Sequence, residues 1–225
     1  MVIVTGLGRC GTSLVMKLFE QLGYNLGYNI SWIDEINAGL ELSPLHRINS
    51  EMYFYYILQG KEIDLDASVT FKYWKGKTYR EVIQTFDKDP VQGDFIYFIK
   101  DPRLTWDKKM IRAWWECRKD LKFLFLHRDI DYIIKSRKSL PSRFEDPKAE
   151  RKNPDCYKID FYESITEILS LNIPYQLIFY PNFCYKPEIL FNALENLCNN
   201  FKLEKEEIIV CWNEIFDPNK IHQEL

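Results

Sequence analysis

Residues 2–13 read Val2-Ile3-Val4-Thr5-Gly6-Leu7-Gly8-Arg9-Cys10-Gly11-Thr12-Ser13. Val2-Ile3-Val4 is a short apolar, β-branched run of the kind that forms a buried strand. Gly6 follows directly, the spacing to Gly11 is G-x-x-x-x-G, and Thr12-Ser13 comes next. This is the frame of a phosphate-binding loop, except that Thr12 stands where such loops carry lysine. Arg9 supplies a cation from inside the loop instead. Leu14, Val15, Leu18, Phe19 and Leu22 then recur at helical spacing as far as Gly23. Strand, glycine loop and helix N-terminus together aim backbone N–H groups at one anion, and the helix dipole adds to the attraction. The loop is therefore expected to hold a phosphate. Without the lysine that bridges β- and γ-phosphates, ordinary ATP or GTP chemistry is disfavoured.

Further along the chain, strands and helices alternate. Residues 95–99, 121–126 and 175–180 are continuous apolar runs that read as buried strands. Ser43-Pro44 opens a helix over about residues 45–58. Other helical patterns cover 106–118, begin again at Tyr132, Ile133 and Ser136, and then cover 159–171, 187–199 and 204–216. Residues 60–93 show weak periodicity, and the charged, proline-broken stretch 141–158 reads as a long loop. The expected architecture is an α/β fold of the P-loop type in three layers. A central, mostly parallel sheet of about four to five strands would be flanked by helices. Residues 1–225 are expected to form a single domain. Ligands of such sheets bind at the carboxyl ends of the strands.

Composition narrows the classes. Apolar residues make up 46% and charged residues 28%, as in ordinary globular proteins, and the net charge is −3. No global field attracts nucleic acid or an anionic membrane, so neither is expected as a partner, and a bound anion must rely on local cations. The six cysteines (Cys10, Cys117, Cys156, Cys184, Cys198 and Cys211) form no C-x-x-C pair, which argues against a zinc site. No apolar run has the length of a membrane span, and the first strand begins at residue 2 with no room for a leader, so a cytoplasmic location is expected.

Arg9-Cys10-Gly11-Thr12-Ser13-Leu14 resembles the R-S-G-T-S/T-L loop of the sulfotransferases. In that family the loop cradles the 5′-phosphosulfate of 3′-phosphoadenosine 5′-phosphosulfate (PAPS). The resemblance assigns Gly8, Arg9, Cys10, Gly11, Thr12 and Ser13 to the donor site, with Cys10 in place of the usual serine. Arg128 ends a strand and Ser136 lies eight residues on, which resembles the segment that grips the 3′-phosphate. Arginine offers a planar donor fork to phosphate, and serine adds a hydroxyl. Lys100-Asp101-Pro102-Arg103 resembles the K-D-P-R of bacterial-type members. Lys100 matches the family's lysine, and Pro102 takes the position of the histidine base found in cytosolic members. Asp101 also has the position of a Walker B aspartate that could hold Mg²⁺ with Ser13, or it could pair with Arg103 or Arg9. Asn37-Ala38-Gly39-Leu40-Glu41, followed by Ile48-Asn49, loosely resembles another family stretch and makes Glu41 the first choice for general base, with Asp34 and Glu35 as competitors. Tyr180 matches a family tyrosine near the adenine.

The resemblance implies a PAPS-dependent sulfotransferase of the bacterial type that needs no metal. It would pass a sulfuryl group by in-line displacement to a hydroxyl or amine of a small-molecule or glycan acceptor. Arg9, Glu41, Lys100 and Asp101 are the catalytic candidates, with the base accepting the acceptor's proton and the cations offsetting charge on the departing bisphosphate, 3′-phosphoadenosine 5′-phosphate (PAP). Two alternatives stay open: an atypical P-loop kinase, or a protein that binds PAP without catalysis. Residues 60–93 and 141–158, where acceptor choice would be set, lie outside the resemblance.

Overall fold

The computed structural model describes residues 1–7, 9–27, 29–30, 33–34, 37–38, 41–86, 96–138, 155–198 and 204–218. In chain order, β1 (Val2–Gly6) feeds α1 (Thr12–Gln21). Four two-residue strands follow: β2 (Asn29–Ile30), β3 (Ile33–Asp34), β4 (Asn37–Ala38) and β5 (Glu41–Leu42). β2 pairs with β5 and β3 with β4, both antiparallel. Then come α2 (Ser43–Met52), α3 (Tyr79–Gln84), β6 (Phe98–Lys100), α4 (Lys108–Cys117), β7 (Lys122–His127) and α5 (Ile130–Lys138). The last elements are α6 (Asp155–Ser170), β8 (Tyr175–Phe179), α7 (Asn182–Tyr185), α8 (Glu188–Leu197) and α9 (Lys205–Ile215).

β1 is buried along its length, as its apolar run requires, and lies inside a four-stranded parallel sheet of order β6-β1-β7-β8. Because the strands are parallel, Gly6, Lys100, His127 and Phe179 end them at one edge of the sheet. Side chains alternate between faces along each strand. Val2, Val4, Phe98, Leu124 and Leu126 enter the core beneath α1, α8 and α9. Ile3, Ile99, Phe123 and Phe125 enter the opposite core beneath α2, α3, α4 and α6. Helices on both faces of a parallel sheet make the α/β architecture expected from the sequence.

The differences in detail have physical reasons. β6 covers Phe98–Lys100, with Phe98 opposite Val2, where its ladder partner β1 begins; residue 95 of the expected run lies outside the described residues. The helix expected over 45–58 is α2 continued by a π-helical turn, Tyr53–Ile57. The helix expected from 106 starts at Lys108, where Asp107 caps it by accepting the Lys109 N–H at 2.9 Å. α3 lies within the stretch of weak periodicity. A capping box starts it: the Thr78 hydroxyl accepts from Glu81 N–H, and the Glu81 carboxylate accepts from Thr78 N–H. Of the loop expected over 141–158, residues 155–158 are already helical in α6, and 141–154 lie outside the described residues. Among the described residues no helix is long and apolar enough to cross a membrane.

Candidate functional site

The glycine loop joins β1 to α1 at the carboxyl edge of the sheet. Gly6 packs so tightly on β7 that a Cβ there would lie 2.2 Å from the Leu126 carbonyl oxygen and 2.6 Å from Cys10 Sγ. Cys10 is fully buried and belongs to the core beneath α1, beside Val4 and Phe183. Its sulfur thus supports the loop from inside. Arg9 takes a left-handed backbone conformation (φ 58°), an uncommon one for arginine, and so does Gly11 (φ 85°), the residue that precedes α1. A Cβ on Gly11 would meet the Tyr180 ring at 2.7 Å. Turns of this kind point successive N–H groups toward one concavity, here at the start of α1. Two buried threonines secure the loop's base: Thr105 Oγ1 shares its proton between the Pro102 carbonyl at 2.8 Å and the Gly6 carbonyl at 3.0 Å, and Thr5 Oγ1 donates to the Asp101 carbonyl at 2.8 Å.

Two cations from neighbouring strand ends, Lys100 and Arg128, approach this loop, and Arg9 lies within it. Lys100, at the end of β6, is buried and donates from Nζ to Ser13 Oγ at 2.8 Å. Arg9 Nε donates to Ser136 Oγ on α5 at 3.0 Å. Arg128, just after β7, donates from Nη1 to the Arg9 carbonyl at 3.0 Å, and its guanidinium lies 4.8 Å from the centre of the Tyr180 ring. The structure thus brings together Arg9, Gly11, Thr12, Ser13, Lys100, Arg128, Ser136 and Tyr180. Gly8 lies outside the described residues. Glu41 lies in β5, which packs beside β6, and its side chain is outside the described residues. The backbone of Asp34 lies in β3, and Glu35 is outside the described residues.

Asp101 is placed differently. Strand alternation sends Lys100 toward α1 and Asp101 to the opposite face, toward α2 and α4. There its carboxylate is fully buried and accepts hydrogen bonds from Arg103 N–H at 2.8 Å, Arg103 Nη1 at 2.6 Å and Asn49 Nδ2 at 2.8 Å. Asn49 Oδ1 in turn accepts from Trp114 Nε1 at 2.8 Å. The bonding of Asp101 is that of a scaffold residue, and the sheet separates its carboxylate from Ser13. This matches the sequence alternative in which Asp101 pairs with Arg103, and it does not favour a shared Mg²⁺ with Ser13. Thr5 and Thr105 carry no sequence signal, since a buried threonine hydroxyl has no positional pattern, and Trp114 is fully buried in the core, as packing would have it.

Among the solved structures that match this chain over its whole length are two sulfotransferase domains. The sulfotransferase domain of the Synechococcus PCC 7002 olefin synthase matches with a TM-score of 0.51 at 13% identity, with 82% of that domain covered. The sulfotransferase domain from the curacin biosynthetic pathway gives 0.51 at 12% identity, with 80% covered. The fold is sulfotransferase-like. No protein-family model and no curated protein sequence matches the chain. At these identities the likeness concerns the fold, and what the site does has to be argued from its residues.

His127 borders the site at the end of β7. Its ring packs on Phe161 at 4.3 Å and against Phe179 at 5.5 Å, and its buried Nδ1 has no hydrogen-bond partner. Burial lowers its pKa, only partly countered by Asp129. The unfolded chain therefore binds this proton more readily than the folded one. Stability from this group is complete above the unfolded pKa and is lost as pH falls through that value toward the lowered folded pKa. Melting temperature should fall more steeply between about pH 7.5 and 5.5 in the wild type than in His127→Phe. Equal slopes would show that His127 does not set this dependence.

Proposed function

We propose that the chain is a PAPS-dependent sulfotransferase acting on a hydroxyl or amine of a small molecule or glycan. The observation that carries this reading is the convergence of Lys100–Ser13 and Arg128–Arg9–Ser136 on the two sides of one glycine loop. A ligand with two separated anionic groups on one nucleoside suits such a pair of cationic ends better than a linear triphosphate does. The donor set fits PAPS: a loop held open by Gly11, a helix N-terminus, one lysine and two arginines. Ser13, Lys100 and the loop N–H groups would hold the 5′ end. Arg128 and Ser136 would hold the 3′-phosphate, with Tyr180 bordering the adenine and Arg9 tying the loop to the Ser136 side. PAPS, when bound, supplies an activated sulfuryl group. The chain's task is then to offset the charge of the departing bisphosphate with preorganised donors, above all Lys100 and the loop N–H groups. An acceptor also needs a base, and Glu41 remains the candidate because β5 runs beside the strand that ends in Lys100.

The test is thermal stabilisation by PAP compared with ADP, each with and without Mg²⁺. A ligand at about 100 times its Kd adds about 2.7 kcal/mol of stability. PAP should raise the melting temperature clearly, independently of Mg²⁺. Arg128→Ala should weaken PAP by about 10- to 100-fold, the worth of one lost hydrogen bond to a charged group. Stabilisation only by ADP with Mg²⁺ would overturn the proposal in favour of kinase chemistry. PAP binding without PAPS consumption across an acceptor panel would make the chain a binding protein.

A further inference from the structure

We propose that Asn49 is a positioning residue for the anion loop. Through its bond to Asp101 it fixes the end of β6, and so sets where Lys100 meets Ser13. The inference rests on reading that end of the loop as the 5′-phosphate site. Asn49 is fully buried on α2, and both ends of its amide are used. Nδ2 donates to Asp101 Oδ2, and Oδ1 accepts from the Trp114 indole on α4, each at 2.8 Å. The amide thus locks two helices of one face to the residue that follows Lys100.

Asp101 is held from every other side as well. Its N–H donates to the Val4 carbonyl at 3.3 Å, its own carbonyl accepts from Thr5 Oγ1, and its Oδ1 accepts from the N–H and guanidinium of Arg103. Asp101 Oδ2 accepts from Asn49 Nδ2 on α2. Because Lys100 and Asp101 are consecutive and point to opposite faces, a rotation or shift of Asp101 moves the root of the Lys100 side chain. Lys100 is buried and bonds Ser13 through Nζ at 2.8 Å, so a change in the position of its backbone shifts where that ammonium sits against the loop. Fixing a supporting residue through a buried, fully bonded network is how such side chains keep their aim.

The amide–carboxylate pair can be exchanged, which separates positioning from direct chemistry. Asn49→Asp faces Asp101 with a second carboxylate, and the two repel. Asn49→Asp/Asp101→Asn restores one donor and one acceptor across the same gap, keeps an acceptor for Trp114 and keeps an oxygen for Arg103. Binding of PAP and of adenosine 3′-monophosphate is measured by calorimetry at about pH 8, with folding checked by circular dichroism. Asn49→Asp is expected to raise the Kd of PAP by about tenfold and to leave adenosine 3′-monophosphate within about twofold. The exchanged pair should return PAP to within about threefold of wild type.

The proposal is overturned if Asn49→Asp binds PAP normally, if both ligands weaken equally, or if the exchanged pair binds no better than the single variant. If these variants fail to fold, Trp114→Phe removes the indole donor from Asn49, together with part of a buried ring whose loss acts on stability and is read separately by melting. A selective loss of PAP affinity then supports the role, and unchanged affinity overturns it. A wild type that binds PAP no more tightly than adenosine 3′-monophosphate would instead refute the 5′-phosphate site itself, and this inference with it.

Discussion

Gly6→Ala should severely destabilise the protein. The added methyl would lie 2.2 Å from the Leu126 carbonyl oxygen, 2.6 Å from Cys10 Sγ and 3.2 Å from the Leu126 carbonyl carbon. Leu126 is backbone in β7, directly opposite Gly6 in the ladder, and fully buried. It can retreat only by opening the β1–β7 pairing at the centre of the sheet. Cys10 can retreat only by moving the loop it supports. A clash with backbone on one side and a packed sulfur on the other is expected to cost at least about 3 kcal/mol. For a chain of this size that is a fall in melting temperature of about 6–12 °C or more. Gly23→Ala is the control. Its φ is also positive, at 80°, yet nothing lies within 4 Å of its Cβ position, so it bears only the left-handed penalty of about 1–2 kcal/mol. Scanning calorimetry of both variants separates the two effects. A Gly6→Ala protein that melts with Gly23→Ala would mean that the β1–β7 contact yields easily.

The sheet was legible in the sequence because its inner strands β1 and β7 are buried on both faces and read as largely apolar runs, while the edge strand β8 is only partly buried yet keeps Leu177-Ile178-Phe179. The glycine loop was legible because turn, strand and helix signals coincide within residues 2–22. The short ribbons of residues 29–42 were not, since a two-residue ladder is too short to show alternation. α3 did carry a signal, Thr78-x-x-Glu81, the sequence form of its capping box, but the aromatic and charged residues around it masked the helical period.

At the site, Lys100, Arg128 and Ser136 became candidates through the resemblance to sulfotransferase segments, with Lys100 and Arg128 placed at strand ends. Their partners were not readable. That Arg128 would reach the Arg9 carbonyl, and Arg9 the Ser136 hydroxyl, depends on how α5 leaves β7, which no local pattern encodes. Asp101 shows the limit most clearly. Its neighbour Lys100 and its place at a strand end suggested chemistry, yet the alternation Phe98-Ile99-Lys100-Asp101 already assigns it to the face away from Ser13. The face of a side chain follows from period two, but its bonding partners come from other elements of the fold.

Asp101→Ala is accordingly expected to act first on stability. The Asp101–Arg103 ion pair is almost fully enclosed, with side-chain exposures of 0% and 7%. Removing the carboxylate takes away the partner of a buried guanidinium at 2.6 Å, the cap on the Arg103 N–H and the acceptor for Asn49. Breaking one side of a buried pair typically costs about 3–5 kcal/mol, because the remaining charge stays desolvated. Urea denaturation should show that loss as a lower midpoint with an unchanged slope. A group whose main task is to take a proton from the acceptor would give the opposite pattern, with stability kept and turnover lost. Lys100 provides the internal comparison. It is buried as well, and it donates from Nζ to the Ser13 hydroxyl beside the loop. Lys100→Met keeps most of the packing volume, so it should cost less stability than Asp101→Ala while weakening PAP more. If Asp101→Ala instead melts like the wild type and fails only in turnover, the Asn49–Asp101–Arg103 cluster is not what holds the end of β6, and Asp101 belongs among the reacting groups.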